Sequence, residues 1–302
     1  MQDLGRNQGT PRVRLKRGSA ADLIYRGRFA PSPTGPLHMG SLVAALGSFL
    51  DARSHEGEWY LRIDDIDPPR HDKASFESIP LGLERHGLTW DGPIILQSQR
   101  REAHEDALCS LRNAGHLFDC LCTRATLGEL GACVSDCRDR KDIKGSIRFH
   151  RPNDAPDRVN DLFLGELRAS ALPSNFIVKR RDGLIAYQLA TAIDDLDEGY
   201  THVIRGADLL ESSLRQMMIH QALGRPSPEY GHLPIVTDQS GNKLSKQTGA
   251  QAIDTNTPNA NLRRALAYLG QPIPPKDVDC VEDILHLATV NYRRDALKSE
   301  NL

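Results

Sequence analysis

Four groups of residues have the types and spacing to do chemistry. His38-Met39-Gly40-Ser41 stands where a proline-rich loop gives way to a helical pattern. At such a junction, unpaired backbone N–H groups and the positive end of the helix dipole suit an anion, and Gly40 lets a nucleotide approach the backbone. Lys243-Leu244-Ser245-Lys246 places two ammonium groups in a loop about 200 residues downstream. Arg62-Ile63-Asp64-Asp65-Ile66-Asp67 brings carboxylates to the end of a strand-like run. Cys120, Cys122, Cys133 and Cys137 crowd four of the six cysteines into 18 residues. In a reduced compartment such spacing favours zinc over disulfides, and four ligands leave no open coordination position, so one structural Zn2+ is expected. Cys109 and Cys280 stand apart and read as ordinary buried residues.

These groups need elements to hold them. Order begins at Tyr25–Ala30, a short strand that stops at Pro31-Ser32-Pro33-Thr34-Gly35-Pro36. Leu42, Val43, Leu46, Phe49 and Leu50 then recur at helical spacing, giving an amphipathic helix over about 39–55. Strand, Pro/Gly loop and helix open a doubly wound nucleotide-binding fold, and Trp59–Asp64 supplies its second strand. Helical patterns cover about 71–86, where Pro80 should kink or split the helix, and about 99–114. Residues 116–175 break the alternation and read as a zinc-binding insert. Beyond it, Phe176–Arg180 and Leu184–Gln188 flank a hairpin turn at Arg181-Asp182-Gly183. A strand at Thr201–Arg205, a helix at Leu209–Leu223 and a strand at Leu233–Thr237 complete a split catalytic domain, 25–115 plus 176–250. Residues 251–302 hold two helices, about 258–269 and 280–290, as a small helical subdomain.

Composition bounds the answer. At 302 residues and 39% hydrophobic there is material for one sizeable core and a smaller unit. No run of 18 apolar residues exists and the N-terminus has no signal-like apolar stretch, which points to the cytoplasm and away from membranes. A net charge of -2 speaks against a general DNA or polyanion binder, so nucleic acid would be held by a local patch. Residues 1–24 are basic, without hydrophobic period, and are expected to form a disordered tail.

In order, Arg28-Phe-Ala-Pro-Ser-Pro-Thr-Gly35, His38-Met-Gly-Ser41, Arg62-Ile-Asp-Asp65, Val203-Ile-Arg-Gly-Ala-Asp208 and Lys243-Leu-Ser-Lys246 resemble the signatures of class I aminoacyl-tRNA synthetases, the glutamyl branch most closely. The cysteine cluster, Ile66-Asp-Pro-Pro-Arg70 and Gln97-Ser-Gln-Arg100 resemble the truncated glutamyl-queuosine tRNA(Asp) synthetases. Two departures stand out: Asp64 replaces a customary glutamate, and Cys133 replaces a customary tyrosine.

The resemblance implies a class I synthetase Rossmann-like α/β fold without an anticodon-binding domain. It also implies activation of L-glutamate by ATP with Mg2+, and transfer to the queuosine base of tRNA(Asp). A carboxylate is already a nucleophile at neutral pH, so catalysis rests on placing two anions in line and stabilising charge on the departing pyrophosphate. By resemblance, His38 and Gly40 hold the triphosphate, Lys243 and Lys246 close over it, and Arg28, Ser32, Asp64, Tyr187 and Arg205 line the glutamate pocket. Arginine suits carboxylate because its fork is bidentate. The alternatives are a short true glutamyl-tRNA synthetase, which would charge the 3′ end of tRNA, and a catalytically silent RNA-binding paralogue.

Overall fold

A computed structural model describes residues 24–128, 131–140, 143–168, 172, 174–235 and 251–297; the basic segment 1–23, Lys243 and Lys246 lie outside the described residues. Strand β1, Arg26–Phe29, buries Gly27, Arg28 and Phe29. It ends before Pro31, which has no N–H for a neighbouring strand. Helix α1, Met39–Ser54, buries Leu42, Val43, Leu46 and Leu50, the apolar stripe of the sequence. Strand β2, Glu58–Ile63, lies parallel to β1, and β3, Ile95–Leu96, lies parallel to β2. Helix α2, Ser75–Arg85, runs through Pro80 as one helix rather than two, and α3 spans Arg101–Asn113.

In the second half, α4 is Tyr187–Asp197, β9 is His202–Gly206, α5 is Leu210–Ala222 and β10 is Glu229–Leu233. Strands β9 and β10 are parallel. Thr201 N–H donates to Arg26 O at 2.9 Å, which holds the start of β9 beside β1. The chain therefore winds outward from β1 to β2 and β3 on one side and to β9 and β10 on the other. In an open α/β sheet a ligand crevice forms where the winding reverses, at the carboxyl ends of the strands.

Three expectations need correction. The last strand precedes the position read from Leu233–Thr237: it ends at Leu233, because Tyr230, Gly231 and His232 are the residues buried against β9. The second arm of the hairpin shrinks to one bridge, Lys179 to Ile185, and Tyr187 begins a helix. The segment 116–175 is not one insert. Strands β4, Leu117–Cys120, and β5, Ser146–His150, pair antiparallel with each other, and β5 pairs with β8, Asn175–Lys179. Between them, the hairpin of β6, Arg158–Asp161, and β7, Gly165–Arg168, joins the catalytic sheet, where Asp161 lies parallel to Tyr230 of β10. Period-2 alternation marks a strand without naming its neighbour, so the sequence could not allot this hairpin.

The C-terminal helices α6, Pro258–Tyr268, and α7, Val281–Val290, share a core with α1: Leu262, Leu266 and Ile284 cluster with Leu42, Leu46 and Leu50. Cys109 and Cys280 are exposed, contrary to their apolar reading. Among the described residues no helix is long and apolar enough to cross a membrane.

Candidate active site

A cleft of about 540 Å3 opens at the carboxyl ends of β1, β9 and β10, and among its walls are Arg28, Ser32, His38, Gly40, Tyr187 and Arg205. Six positions read from sequence are thus brought together. The proline loop is tied down from outside, since Asp64 N–H donates to Pro31 O at 2.9 Å and Asp72 N–H to Pro33 O at 2.8 Å. That anchorage delivers the chain to the N-terminus of α1 at the cleft. There His38 is the N-cap: its Nδ1 accepts from Ser41 N–H at 3.3 Å, while Ser41 Oγ accepts from His38 N–H at 2.8 Å. The reciprocal bonds assign the ring proton to Nε2. First-turn amides have no intrahelical partner, so the helix presents donors and a positive dipole end to the same space. Backbone of the C-terminal segment closes this corner, with Ala252 bridged to His38 and Ile253 N–H donating to Leu37 O at 3.0 Å.

The floor is a layer of buried charge. Asp195 of α4 accepts from Arg28 Nε and Nη2 at 3.3 and 3.2 Å and from Arg62 Nη1 at 2.7 Å. Burial alone would push the Asp195 carboxyl up, but the two guanidiniums outweigh it and hold its pKa at about 2. Asp64 accepts from Arg62 Nε at 2.7 Å, yet burial dominates there and raises its pKa. Asp64 is 6% exposed and is not among the residues that line the cleft; it sits behind the floor, committed to Arg62. Its placement differs from that of the other six glutamate-pocket and helix-start residues.

Arg205 has a different setting. Its Nη2 donates to Ser213 Oγ at 2.6 Å and its Nη1 reaches Tyr187 Oη at 3.4 Å, while the guanidinium lies over the Tyr230 ring at 5.2 Å. No carboxylate of the described residues is within ion-pair distance of it, and its buried Nε has no acceptor among them. Of the three buried guanidiniums around the cleft, those of Arg28 and Arg62 are met by Asp64 and Asp195, and that of Arg205 by no carboxylate among the described residues.

Asp195 escaped the sequence reading, and Arg62 entered it only as the first residue of a motif, with no role assigned. A signal existed: Asp194 and Asp195 interrupt the apolar face of Leu189, Ala190, Ala192 and Ile193, and acids in such a place must be paired. Arg70 also lines the cleft, its side chain 65% exposed.

Away from the cleft, the thiols of Cys120, Cys122, Cys133 and Cys137 gather with all sulfurs within 4.8 Å of one another. Cys122 Sγ is 3.6 Å from Cys133 Sγ and 3.8 Å from Cys137 Sγ. A hydrogen bond with Ser135 heads the causes that lower the Cys122 thiol to about 6, whereas burial pushes Cys120 up to about 12. Four such sulfurs could hold a metal ion.

The parallel sheet, the reversal of winding and the cleft at its strand ends define a nucleotide-type α/β enzyme. The family model described as the class I tRNA synthetases (E and Q), catalytic domain, matches residues 25–133 and 132–272, and the chain belongs to this family. It is 46% identical over 254 residues to a glutamyl-Q tRNA(Asp) synthetase of Yersinia pseudotuberculosis, covering 83% of this chain and 77% of that one. The glutamyl-Q tRNA(Asp) synthetase of Escherichia coli K12 is 42% identical over 289 residues, with 91% of each chain covered. Among solved structures, a glutamate tRNA ligase from Elizabethkingia meningosepticum in complex with its amino acid superposes with a TM-score of 0.72 at 26% identity. That match covers 90% of this chain and 65% of the other.

Proposed function

We propose that this protein activates glutamate with ATP to glutamyl-adenylate and transfers the glutamyl group to the queuosine base of tRNA(Asp). The observation that carries the proposal is the convergence, in one cleft, of the N-terminus of α1 with Arg205, a buried guanidinium that has no carboxylate partner among the described residues. Glutamate brings two carboxylates to such a place, and ATP a polyphosphate. The names of the relatives supply the acceptor.

In this reading the polyphosphate, carried in with Mg2+, lies against His38, Gly40 and the first turn of α1, where oriented amides stabilise charge moving onto pyrophosphate. Lys243 and Lys246 supply the cations that follow that charge. The described residues flanking their segment support this: Ile235 lines the cleft and Ala252 is bridged to His38. Arg205, with Tyr187, takes a carboxylate in the fork geometry arginine provides, and Arg28 and Ser32 face the same ligand. Asp64 acts on the site through Arg62 and not by touching the substrate ammonium, since its free energy is already engaged in that buried ion pair. The attacking carboxylate needs no general base, so orientation in the cleft is the chief task of these side chains.

The four thiolates are assigned one structural Zn2+. Zinc–sulfur bonds of about 2.3 Å in a tetrahedron place sulfurs about 3.8 Å apart, and the thiol separations of 3.6 and 3.8 Å fit that shell. The ion would clip β4 to the loop before β5.

The test is ATP–pyrophosphate exchange without tRNA. Exchange should require glutamate, and Lys246→Ala should lower it by about two to three decades, the loss typical of removing one transition-state cation. Labelled glutamate offered with separated tRNAs should then appear on the queuosine nucleotide of tRNA(Asp). Label at the 3′ end would instead identify a tRNA-charging enzyme, and absence of exchange by zinc-loaded protein would sink the activation step.

A further inference from the structure

Behind Arg205 stands a row of buried groups, none of which lines the cleft. Asp161 Oδ1 accepts the backbone N–H groups of Phe163 at 2.9 Å, Leu164 at 3.0 Å and His232 at 3.3 Å. Its other oxygen meets His232 Nδ1 at 2.5 Å. His232 Nε2 lies 2.9 Å from Ser213 Oγ, and Ser213 Oγ accepts from Arg205 Nη2 at 2.6 Å. The Asp161 and His232 side chains are fully buried.

With the His232 ring singly protonated, the donors and acceptors in this row order in one direction. A carboxylate only accepts, so His232 carries its proton on Nδ1. Nε2 therefore offers a lone pair, takes the hydroxyl proton of Ser213, and leaves the Ser213 oxygen lone pairs for the guanidinium. Burial lowers the pKa of His232 and so favours the singly protonated ring this order requires. If the ring gained a second proton, Nε2–H would donate to Ser213 Oγ, which would place a second positive charge beside Arg205 and leave the Ser213 hydroxyl proton without this acceptor. The geometry is written into the sheet: Arg205 and His232 are register partners on β9 and β10, Asp161 sits on the next strand over, and Ser213 projects from α5.

We infer that Asp161, His232 and Ser213 are positioning residues that fix the Arg205 guanidinium for a substrate carboxylate, an inference that rests on the glutamate-activating function proposed above. An arginine side chain carries several rotatable bonds, and its fork recognises a carboxylate only from a restricted set of angles. The one short bond that sets the angle of Arg205 goes to Ser213, and an electrically neutral Ser213–His232 pair orients the guanidinium without cancelling its charge. The charge of Asp161 is absorbed one group farther away, by three backbone donors and an imidazole N–H.

The experiment is exchange kinetics on the full chain with Ser213→Ala, which removes one oxygen and adds no bulk. KM for glutamate should rise about 10- to 100-fold while KM for ATP is unchanged, because a charge-assisted bond that orients the amino-acid ligand is lost and the α1 end of the cleft is untouched. Ser213→Thr restores a hydroxyl and should return the glutamate KM toward wild type. In an Arg205→Lys background, where the fork is absent, Ser213→Ala should shift the glutamate KM no further. An unchanged glutamate KM, or a parallel rise in both KM values, overturns the inference while wild-type exchange keeps the proposed function standing. Failure of the wild-type protein to exchange at all overturns both.

Discussion

Asp195 carries more of the site than any residue read from the motifs. Two guanidiniums converge on it in an almost wholly buried layer, so removing its charge strands Arg28 and leaves Arg62 with Asp64 as its one carboxylate partner among the described residues. Breaking such a buried pair costs about 3–5 kcal/mol. The pH dependence follows from the depressed carboxyl: its folded value of about 2 lies below the ordinary 3.8, so the associated stability is fully present above about pH 4 and is lost as pH falls through 2. Asp195→Asn should therefore unfold at a lower urea concentration than wild type at pH 7, and the difference should narrow between pH 4 and pH 2. A gap that stayed constant over that window would show that Asp195 is not the anion these arginines need. At this scale the sequence named residues that the fold brings to one cleft: Arg28, Ser32, His38, Gly40, Tyr187 and Arg205. Asp64, grouped with them by resemblance, lies behind the cleft for a physical reason. Residues two apart on a strand face the same way, so Arg62 and Asp64 meet each other before either meets a ligand.

At the scale of elements, the cysteine cluster tests how a small unit holds together. Phe118, Cys120 and Cys137 form a core of three buried side chains, too little apolar material to fix the loop that carries Cys133 and Cys137. A bound ion would supply the missing constraint. Zinc assayed after denaturation should be one per chain, and Cys137→Ser should weaken zinc binding by about 100-fold or more, since even changes to groups that merely support a ligand cost 10- to 100-fold. Hydrogen exchange on the chelated protein should accelerate in β4 and β5 and leave α1 and β1 protected; acceleration throughout, or none, would contradict a local staple. The spacing of the four thiols was readable because ligands must cluster in sequence to close a small loop. The allegiance of the β6–β7 hairpin was not, because its pairing with β10 joins positions about 70 residues apart and leaves no local trace.

Across the whole molecule, α1 is the member that connects the cleft to the C-terminal helices. Its N-terminus faces the cleft, and its last turns carry Asp51, whose carboxylate is fully buried. Asp51 accepts from Tyr25 Oη at 2.5 Å, Tyr292 Oη at 3.1 Å, and Arg294 Nε and Nη2 at 2.7 and 2.9 Å. One side chain thus ties the entry to β1 and the segment after α7 to the same helix. The amphipathic patterns of α6 and α7 announced buried faces without saying against what, and the answer is the back of α1. This arrangement predicts that the C-terminal helices and the nucleotide fold unfold together. Asp51→Ala should lower stability by about 3–5 kcal/mol, because two tyrosine hydroxyls and a guanidinium lose their acceptor at once. Arg294→Ala, which leaves the two hydroxyl donors on Asp51, should cost less. In both variants urea unfolding should remain a single transition, coincident by far-UV circular dichroism and by tryptophan fluorescence, since Trp59 and Trp90 report the core around α1 and β2 while the dichroism reports all the helices. Two separated transitions in Asp51→Ala would mean that the C-terminal helices form an independent unit. Orientation of α1, and with it the donors at the cleft, would then have to be fixed by the sheet alone.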